Sequence, residues 1–446
     1  MQVIADLQIH SRFARAVSKA MTIPNIAFWA KRKGINLVAT GDWTHPLWFR
    51  EIEQNLEELG TGLLKLKNEV VPTEVGPALT YSQADPLFLL ATEVSCIYSQ
   101  GGRVRRVHTL IWVPTLDSAR KISQEMTKRG CNLLSDGRPI VGLTSVQIAE
   151  LVFSIEPKAL IIPAHAWTPW FSVYGSLGGF DSIVEAFGQY SDRIYAVETG
   201  LSSNPTMNWR IKELDKRAIL SFSDAHSGPK LGREATVFDV DTVSYDAIYE
   251  AIKTRSHIAY TIEFYPEEGK YHYTGHRVCK IRQTPEETNA KGTTCPVCGK
   301  PLTVGVMHRI EDLAGRSEKD LEIYTDHGMT RSRAFPDRPP FVMLVPLLEI
   351  IAEAVGSPVT SPRVQTPYFR LTSEVATEFS LLLTADLSAV ARIAGDRVVE
   401  GIERVRKGNI HVDPGYDGVF GIVKIWEEHA KGIAETGKEQ LSLLTS

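Results

Sequence analysis

The chain has 446 residues, of which 43% are hydrophobic and 23% are charged, a composition that supports two or three hydrophobic cores. The formal net charge of -4 excludes a uniformly basic nucleic-acid coat, so contacts with phosphate must come from local basic patches or bound metals. No apolar run reaches the roughly 18 residues that cross a bilayer, and the N-terminus lacks the residue order of a secretory signal.

The first 262 residues alternate short β-branched runs with longer amphipathic stretches, as in strand–helix units around a parallel sheet or barrel. The predicted strands are Gln2–Ile9, Asn36–Gly41, Leu87–Ile97, Arg106–Val113, Ala159–Pro163, Ile194–Val197 and Ala218–Ser223. The predicted helices are Pro24–Gly34, Pro46–Leu59, Leu116–Arg129, Ser145–Phe153, Phe180–Gln189 and Tyr245–Thr254. The alternation therefore predicts an α/β fold with seven strands in a parallel sheet or barrel.

Histidine and acidic side chains stand at or near the ends of almost all of these predicted strands. They are Asp6, His10, Asp42, His45, Glu93, His108, His165, Glu198, Asp224 and His226. The strands of a parallel barrel end on one face, so these side chains should meet in one cleft. Imidazole and carboxylate groups bind divalent metals, and a shared carboxylate such as Glu93 can bridge two ions. The set predicts a metal cleft, with an ordinary barrel carrying polar strand ends as the alternative.

A short cysteine-bearing segment comes after the predicted barrel. His276 and Cys279, then Cys295 and Cys298, have the spacing of a tetrahedral zinc site, with His272 or His308 as alternative nitrogen ligands. Four protein ligands leave no open coordination position, so this pattern predicts one structural zinc. Further on, helical runs are predicted at Met343–Val355, Glu374–Leu382 and Leu387–Lys407.

The barrel region resembles the PHP (polymerase and histidinol phosphatase) superfamily of metal-dependent phosphoesterases in the segments ADLQIHS, TGDWTHP, ATEVS, VHTLIW, PAHAW, VETGLSSNP and FSDAHS. With the zinc segment, the trailing GVMHRIEDLA and the C-terminal GYDGVFG, nearly the whole chain resembles the endonuclease Q family. The resemblance implies three parts: a distorted seven-stranded PHP-type barrel over residues 1–262, a zinc-binding module over 263–315 and a mainly helical DNA-positioning domain with a C-terminal tail over 316–446.

The resemblance also implies a DNA repair endonuclease that cuts 5′ of a deaminated base (hypoxanthine, uracil or xanthine) or of an abasic site in double-stranded DNA. Such an enzyme uses two or three divalent metals (Zn, Mn or Mg) to hydrolyse a phosphodiester, so side chains mainly hold positions. The implied metal-site residues are Gln8, His10, His45, Glu93, His108, His165, Asp224 and His226. Asp42 and Glu198 are the implied catalytic residues, and Glu198 also fits a role in orienting a ligand.

One motif departs from the family pattern. The first strand of the family carries His-x-His, whereas this chain reads Gln8-Ile9-His10. A neutral amide oxygen is a weak ligand, so we expect one metal to bind less tightly, whether the glutamine is natural or introduced. Ala16 stands near the place of another superfamily ligand, which reduces the expected number of metals further. The two alternatives are a PHP phosphatase acting on a small phosphoester, and a catalytically impaired lesion-binding protein.

Several residues outside the cleft are expected to bind partners. The DNA-binding set, which a solvated surface would also explain, is Arg12, Arg15, Arg105, Arg106, Arg331 and Arg333, with Tyr416 as a stacking group. The last residues resemble the short motif with which bacterial repair enzymes bind the replication sliding clamp, through Gln440, Leu441, Leu443 and Leu444. A frayed helix end is the alternative for this tail. The expected location is the cytoplasm, at the nucleoid, without a membrane partner.

Overall fold

The computed structural model describes residues 1–67, 71–73 and 76–427. The strands are β1 (Gln2–Asp6), β2 (Leu37–Ala39), β3 (Leu56–Glu58), β4 (Leu64–Leu66), β5 (Leu87–Gln100), β6 (Arg103–Val113), β7 (Ile140–Val141), β8 (Leu160–Pro163), β9 (Ala196–Glu198), β10 (Ala218–Leu220), β11 (Ala235–Asp239), β12 (Ile258–Glu263), β13 (Thr274–His276), β14 (Ile281–Gln283), β15 (Ile323–Asp326), β16 (Met329–Ser332), β17 (Phe341–Met343), β18 (His411–Asp413) and β19 (Ile422–Lys424).

The helices lie between and after these strands. They are α1 (Ile23–Lys33), α2 (Pro46–Asn55), α3 (Leu116–Lys128), α4 (Ser145–Ile155), α5 (Ile183–Phe187), α6 (Pro205–Trp209), α7 (Tyr245–Thr254), α8 (Pro285–Lys291), α9 (Val306–Leu313), α10 (Leu347–Val355), α11 (Pro362–Glu374), α12 (Glu378–Leu383), α13 (Ser388–Ala394) and α14 (Asp396–Arg406). None of the helices in the described ranges combines the length and the apolar composition of a membrane span.

One large mixed sheet organises the chain. Its strands have the order β15-β16-β17-β12-β11-β1-β2-β5-β4-β3, with β6 pairing both β5 and β8, and β7 pairing β5. Strands β9 and β10 form a separate parallel pair, and β9 lies beside β8. The core of this α/β body includes Phe88, Trp112, Phe222 and Phe238, each fully buried. The sheet and the β9–β10 pair together carry the polar residues of the functional cleft.

All seven predicted strands are present, but their arrangement differs from a parallel barrel. Strand β6 is antiparallel to β5 and to β8, and β1 is antiparallel to β11. No hydrogen-bonded ladder joins β8 to β9 among the described residues, so the sheet does not close as a simple ring. The prediction of uniformly parallel strands is wrong because the chain returns directly from β5 to β6 through the short Gln100–Arg103 turn.

The β5–β6 hairpin also changes where two predicted site residues lie. Glu93 and His108 were predicted at strand ends, but both lie inside long strands, with Glu93 opposite Leu110 and His108 opposite Ser95. Side chains alternate between the faces of a strand, so a residue in mid-strand can reach a cleft as well as one at its end. Both side chains are nearly fully buried within the body of the protein.

The helices of the first 262 residues agree closely with the sequence signals. Helix α1 contains Pro24 in its first turn and ends at Gly34, which has a φ of 88°. Helices α3 and α7 begin at side-chain caps, Thr115 and Ser244, and α4 has a capping box of Thr144 and Gln147. Helix α2 is shorter than predicted, because residues after Asn55 form the β3–β4 hairpin.

The C-terminal region is not a purely helical addition. Strand β17 pairs in parallel with β12, and β16 pairs with β17, so residues 323–343 extend the main sheet. The predicted run Leu387–Lys407 is two helices, because Gly395 adopts a φ of 88° between α13 and α14. Helix α11 was not predicted, and it contains Pro367, a residue that is unfavourable inside a helix. The predicted boundary at residue 316 therefore does not mark the end of the sheet, which continues into the C-terminal region.

Candidate functional site

The polar cleft is formed by side chains from five places along the large sheet and the β9–β10 pair. After β1 the chain runs on to His10, whose backbone N–H donates to the carbonyl of Ala225, 3.0 Å away. This bond ties the segment after β1 to the segment after β10. Strands β5 and β6 bring Glu93 and His108, and the end of β8 brings His165. The predicted convergence of these distant residues in one cleft is therefore present.

One candidate metal-binding group consists of Glu93, His108 and His165, all buried. His108 Nδ1 lies 2.5 Å from Glu93 Oε1 and 3.1 Å from His165 Nε2. His165 Nε2 lies 3.5 Å from the same carboxylate oxygen. Burial lowers the pKa of His108 to about 4, despite the nearby Glu93 carboxylate, so its imidazole is neutral near pH 7. A neutral imidazole is the form that binds a metal.

A second candidate group consists of His10, Asp224 and His226. His10 Nε2 lies 3.2 Å from Asp224 Oδ1, and the rings of His10 and His226 are 4.9 Å apart between centroids. Burial opposes the charged form of His10, but Asp42, Asp224 and Glu93 outweigh it and raise its pKa well above the ordinary value. The surplus of negative charge around this imidazole is a place for a cation.

Glu93 joins the two groups. Its Oε1 faces His108 and His165, while its Oε2 lies 3.1 Å from His10 Nε2. Burial alone would raise its pKa, but Arg138 and then His108 and His10 lower it well below the ordinary value. The group therefore stays an ionised carboxylate with one oxygen toward each cluster, which is the geometry of a bridging metal ligand.

Other predicted site residues surround the two groups. Asp42 accepts from the backbone N–H of Ser11 at 2.6 Å and lies 2.9 Å from His10 Nδ1, so it orients that imidazole. Glu198 is fully buried behind His165 and accepts from its backbone N–H at 2.7 Å. Burial raises the pKa of Glu198 well above its ordinary value. Both carboxylates contact residues of the two groups and are placed to position them.

His45 and Gln8 occupy different places. His45 precedes α2, where its Nδ1 accepts from the backbone N–H of Trp48, and its ring stacks on Phe13 at 4.6 Å. It belongs to neither candidate group. Gln8 is buried and donates from Nε2 to Glu93 Oε2 at 3.0 Å, and its Oε1 has no hydrogen-bond partner among the described residues. Gln8 therefore contacts the bridging carboxylate through a donor.

The backbone is strained at three of these residues. Asp42, His165 and Asp224 have φ values of 45°, 30° and 47°, in the left-handed region that side chains with a Cβ rarely adopt. Gly200 packs so closely on His165 that a Cβ at residue 200 would overlap it. Backbone strain of this kind costs on the order of 1–3 kcal/mol per residue and is concentrated at functional sites.

The sequence did not single out Arg138. Its Nη1 lies 3.4 Å from Glu93 Oε1 and 3.5 Å from His10 Nε2, at the open side of the cleft. Arg138 lies in the loop between α3 and β7, in the segment SDGRP. A turn of this composition is ordinary, and no strand-end pattern marks it. The arginine reaches the cleft only because the tertiary fold places the loop there.

The predicted DNA-binding residues are scattered over the surface. Arg15 and Arg333 are exposed, and Arg331 is half-buried in β16. Arg12 pairs with Glu51 at 2.8 Å. Arg105 donates to the carbonyl of Gly179 and covers the Phe180 ring, while Arg106 is half-buried in β6 beside Gly178. Tyr416 packs against Gly275 of the cysteine segment. None of these residues contacts the two metal-binding groups in the described structure.

The cysteine segment brings together the predicted tetrad His276, Cys279, Cys295 and Cys298. His276 Nδ1 lies 3.4 Å from Cys298 Sγ. Although desolvation acts in the opposite direction, the backbone N–H groups of Cys298 and Val297 lower the pKa of Cys295 to about 6. The alternative ligands His272 and His308 lie outside this group. The donor set fits a closed tetrahedral zinc site.

Behind the cleft lies a second pair of buried carboxylates. Glu263 Oε1 accepts from the hydroxyls of Ser221 and Thr261, and Glu234 accepts from Thr199 Oγ1 at 3.1 Å. The Thr199 hydroxyl also lies 2.9 Å from that of Ser221, so the two carboxylates share one network. Burial raises the pKa of Glu263 to about 7 and that of Glu234 well above its ordinary value.

This network predicts a pH-dependent stability. Between about pH 4.5 and 7 the unfolded chain releases the Glu263 proton while the folded chain retains it, so stability falls as pH rises. Glu263→Gln removes this penalty and should raise the free energy of unfolding by on the order of 2 kcal/mol at pH 8, but hardly at pH 4. Urea unfolding at both pH values measures it, with the exposed Glu250→Gln as control. An equal effect of Glu263→Gln at both pH values would contradict the assignment.

The chain is similar in sequence to one family model and to two curated proteins. A family model described as the MJ0043 C-terminal domain matches residues 346–409. The chain is 33% identical to protein MJ0043 of Methanocaldococcus jannaschii over 265 residues, which are 58% of this chain and 31% of that protein. It is 27% identical to YqxK of Bacillus subtilis over 446 residues, covering 95% of this chain and 99% of that protein.

Two solved structures similar to this chain identify its family. The lesion-specific endonuclease PfuEndoQ of Pyrococcus furiosus is 33% identical, with a TM-score of 0.78 and coverage of 97% of both chains. Endonuclease Q in complex with a 27-mer duplex carrying an abasic lesion at the active site is also 33% identical, with a TM-score of 0.78. That match covers 96% of this chain and 98% of the other. These matches confirm the resemblance predicted from the sequence, and the chain belongs to the endonuclease Q family.

Proposed function

We propose that this chain is a metal-dependent DNA repair endonuclease that cuts the phosphodiester 5′ of a deaminated base, such as hypoxanthine, uracil or xanthine, or of an abasic site. The observation that carries the proposal is the position of Glu93 between two His-containing groups in one cleft. Family membership supplies the substrate class, since one relative is a lesion-specific endonuclease and another is bound to a duplex with an abasic lesion.

The donor set of the cleft fits divalent metals. Imidazoles and carboxylates suit Zn, Mn or Mg. Two carboxylate oxygens, Asp224 Oδ1 and Glu93 Oε2, share one ring nitrogen, since they lie 3.2 and 3.1 Å from His10 Nε2. Such atoms are costly to bury unless a ligand satisfies them. We assign His108 and His165 with Glu93 to one ion, and His10, Asp224 and His226 with Glu93 to another. The cleft therefore has donors for two ions, and the cysteine tetrad fits one structural zinc.

The surrounding residues hold these ligands in place. Bound metals supply an activated water and stabilise the leaving oxygen of the phosphodiester. Ser172 Oγ lies 3.2 Å from His165 Nδ1 and so directs the other ring nitrogen toward Glu93. Glu198 fixes the backbone of His165 by accepting from its N–H. Asp42 does the same for His10 through Nδ1. We therefore assign Asp42 and Glu198 to positioning rather than to contact with the substrate.

Reading a damaged base requires that the base leave the duplex stack and enter a pocket. The loop after β8 is suited to this step, since Phe171 has a φ of 62° and its ring lies 4.8 Å from the His108 ring. Trp170 of the same loop contacts Tyr271 of the cysteine region at 5.2 Å. We propose that this loop lies against the flipped nucleotide, and that Arg15 and Arg333 contact the backbone farther away.

The finer architecture belongs to the same proposal. We interpret the central strands and the β9–β10 pair as a distorted PHP-type barrel, continued by the zinc module over residues 263–315 and a DNA-positioning region over 316–446. The clamp-binding motif, with Gln440, Leu441, Leu443 and Leu444, lies outside the described residues. It remains a prediction from the sequence, like the cytoplasmic, nucleoid-associated location.

A labelled duplex with one deoxyinosine tests the proposal. With Mn²⁺ or Mg²⁺ we expect a single nick 5′ of the lesion, because the cleft has donors for metal ions close to the loop that we propose lies against the flipped nucleotide. An undamaged duplex of the same sequence is the control. Hydrolysis of a generic aryl phosphate without DNA cleavage would favour the phosphatase alternative. Tight binding of the lesion without a nick would favour the impaired lesion-binding protein, for which Gln8 is the structural argument.

A further inference from the structure

The amide of Gln8 presents the wrong group for a metal ligand. Its Nε2 donates to Glu93 Oε2 at 3.0 Å, and its Oε1 is buried without a hydrogen-bond partner in the described part of the chain. Amide N–H groups cannot bind a cation, so this contact occupies a carboxylate oxygen that a metal would otherwise use. The corner of the cleft at Gln8 and His10 therefore has less capacity for an ion than the corner at His108 and His165.

A permanent positive charge lies at this weakened corner. Arg138 Nη1 is 3.4 Å from Glu93 Oε1 and 3.5 Å from His10 Nε2. Its side chain is 26% exposed, whereas Glu93 is 2% exposed, so the guanidinium covers the carboxylate from the solvent side. Arginine stays protonated at every physiological pH. It therefore supplies a fixed cation at the edge of the cleft.

The loop that carries Arg138 is firmly attached. The backbone N–H of Arg138 donates to Asp136 Oδ1 at 3.0 Å, and that of Gly137 donates to the carbonyl of Phe13 at 3.0 Å. Gly137 packs against Asp42 so closely that a Cβ at residue 137 would overlap the carboxylate. The next residues continue into β7, which pairs with β5 close to Glu93. The arginine is thus placed by the fold rather than by a free side chain.

The charges of the cleft show what this cation does. Asp42, Glu93 and Asp224 bring three carboxylates, and Arg138 lies against Glu93. When His10 is neutral, as a metal ligand must be, two negative charges remain. One divalent ion neutralises that remainder. With a neutral residue at 138 the same carboxylates would attract a second ion more strongly. The guanidinium and an ion in the Gln8 corner are therefore alternatives for the same negative charge.

Resting on the proposed function, we propose that Arg138 takes over part of the electrostatic role of the ion that Gln8 weakens. In this role it compensates the bridging carboxylate and faces the phosphate of the DNA. A planar guanidinium is suited to phosphate oxygens. Cleavage should then depend strongly on Arg138 in the chain with Gln8, and much less in a Gln8→His variant.

Metal binding tests the proposal without reference to DNA cleavage. Full-length protein is stripped with a chelator and titrated with Mn²⁺, and bound metal is counted by mass spectrometry. Arg138→Met should tighten the weaker Mn²⁺ site by about 10-fold, because the carboxylates lose their competing cation, whereas Arg138→Lys should not. Gln8→His should add about one ion per chain. Unchanged or weaker Mn²⁺ binding in Arg138→Met would overturn the proposal, whether or not the protein cuts DNA.

Cleavage of the deoxyinosine duplex gives the second readout. In the protein with Gln8, Arg138→Met should slow DNA cleavage by about 100-fold. In the Gln8→His background the same change should slow cleavage by less than about 3-fold, because an ion then supplies the positive charge. If Arg138 were merely structural, Arg138→Met would slow cleavage by the same factor in both backgrounds. That result would overturn the proposal. Arg129→Met is the matched control, since Arg129 is exposed at the start of the same loop and pairs with Glu125 on the surface. It should leave metal content and cleavage unchanged.

Discussion

Replacing Glu93 with glutamine should abolish cleavage of lesion-containing DNA, with a loss of about 10³-fold or more. Glu93 has one oxygen toward His108 and His165 and the other toward His10, so a single side chain serves both candidate groups. A glutamine amide has one weak acceptor and one donor, and therefore cannot bridge two cations. We expect the variant to bind fewer Mn²⁺ ions at equilibrium as well as to lose cleavage.

A second variant separates loss of the ligand from loss of the fold. Glu93→Asp keeps the charge but shortens the side chain, so it should retain part of the metal content and lose less activity than Glu93→Gln. Glu125→Gln on the surface of α3 is the matched control, because Glu125 pairs with Lys128 and Arg129 away from the cleft. Thermal unfolding of all three should show native folding. Full metal content in Glu93→Gln would remove the bridging role from this residue.

The chemistry of this cleft is more predictable from the sequence than its geometry. Residue types and strand ends were enough to place His10, His165 and Asp224 together, because the ends of neighbouring strands must meet. Glu93 and His108 were assigned to the same cleft although the strands containing them extend well past it as a hairpin. The prediction worked because the alternation of side chains along a strand does not depend on where the strand stops.

Arg138 shows what the sequence pattern does not contain. Its position depends on the packing of a turn against Asp42 and Phe13, which are more than 90 residues away in the chain. Local propensity gives no information about such contacts. The same limit applies to the C-terminal region, where β17 joins β12 and so makes residues 323–343 part of the sheet. Helix α11 was also not predicted. It contains Pro367, which is unfavourable inside a helix, so packing must compensate for it.

Removing the proposed structural zinc should have the second large effect. Cys295→Ser takes away one of four ligands, and we expect the chain to lose one equivalent of zinc and the segment from Thr274 to Thr303 to unfold locally. Metal binding stabilises isolated zinc peptides by about 10 kcal/mol or more. This segment has little core to replace that contribution: Val278 and Val297 are 79% and 67% exposed, and few of its apolar side chains are buried.

The effect should spread to the Gly-rich loop that comes after α14. Asp417 accepts from the backbone N–H of Arg277 at 2.7 Å and from the hydroxyl of Thr303, and Arg282 pairs with Asp413 at 2.6 Å. Tyr416 packs on Gly275 in the same interface. This loop therefore depends on a folded cysteine segment for its position. We expect the variant to bind the duplex more weakly, with the metal content of the cleft unchanged.

Hydrogen exchange on the full-length protein measures this directly. In Cys295→Ser we expect fast exchange in peptides covering residues 274–303 and 413–421, with unchanged protection in β5 and β6. Cys131→Ser is the matched control, because Cys131 lies outside the metal-binding groups and its loss removes a thiol without removing zinc. Native protection of residues 274–303 in a zinc-free protein would show that side-chain packing, and not the metal, holds this module together.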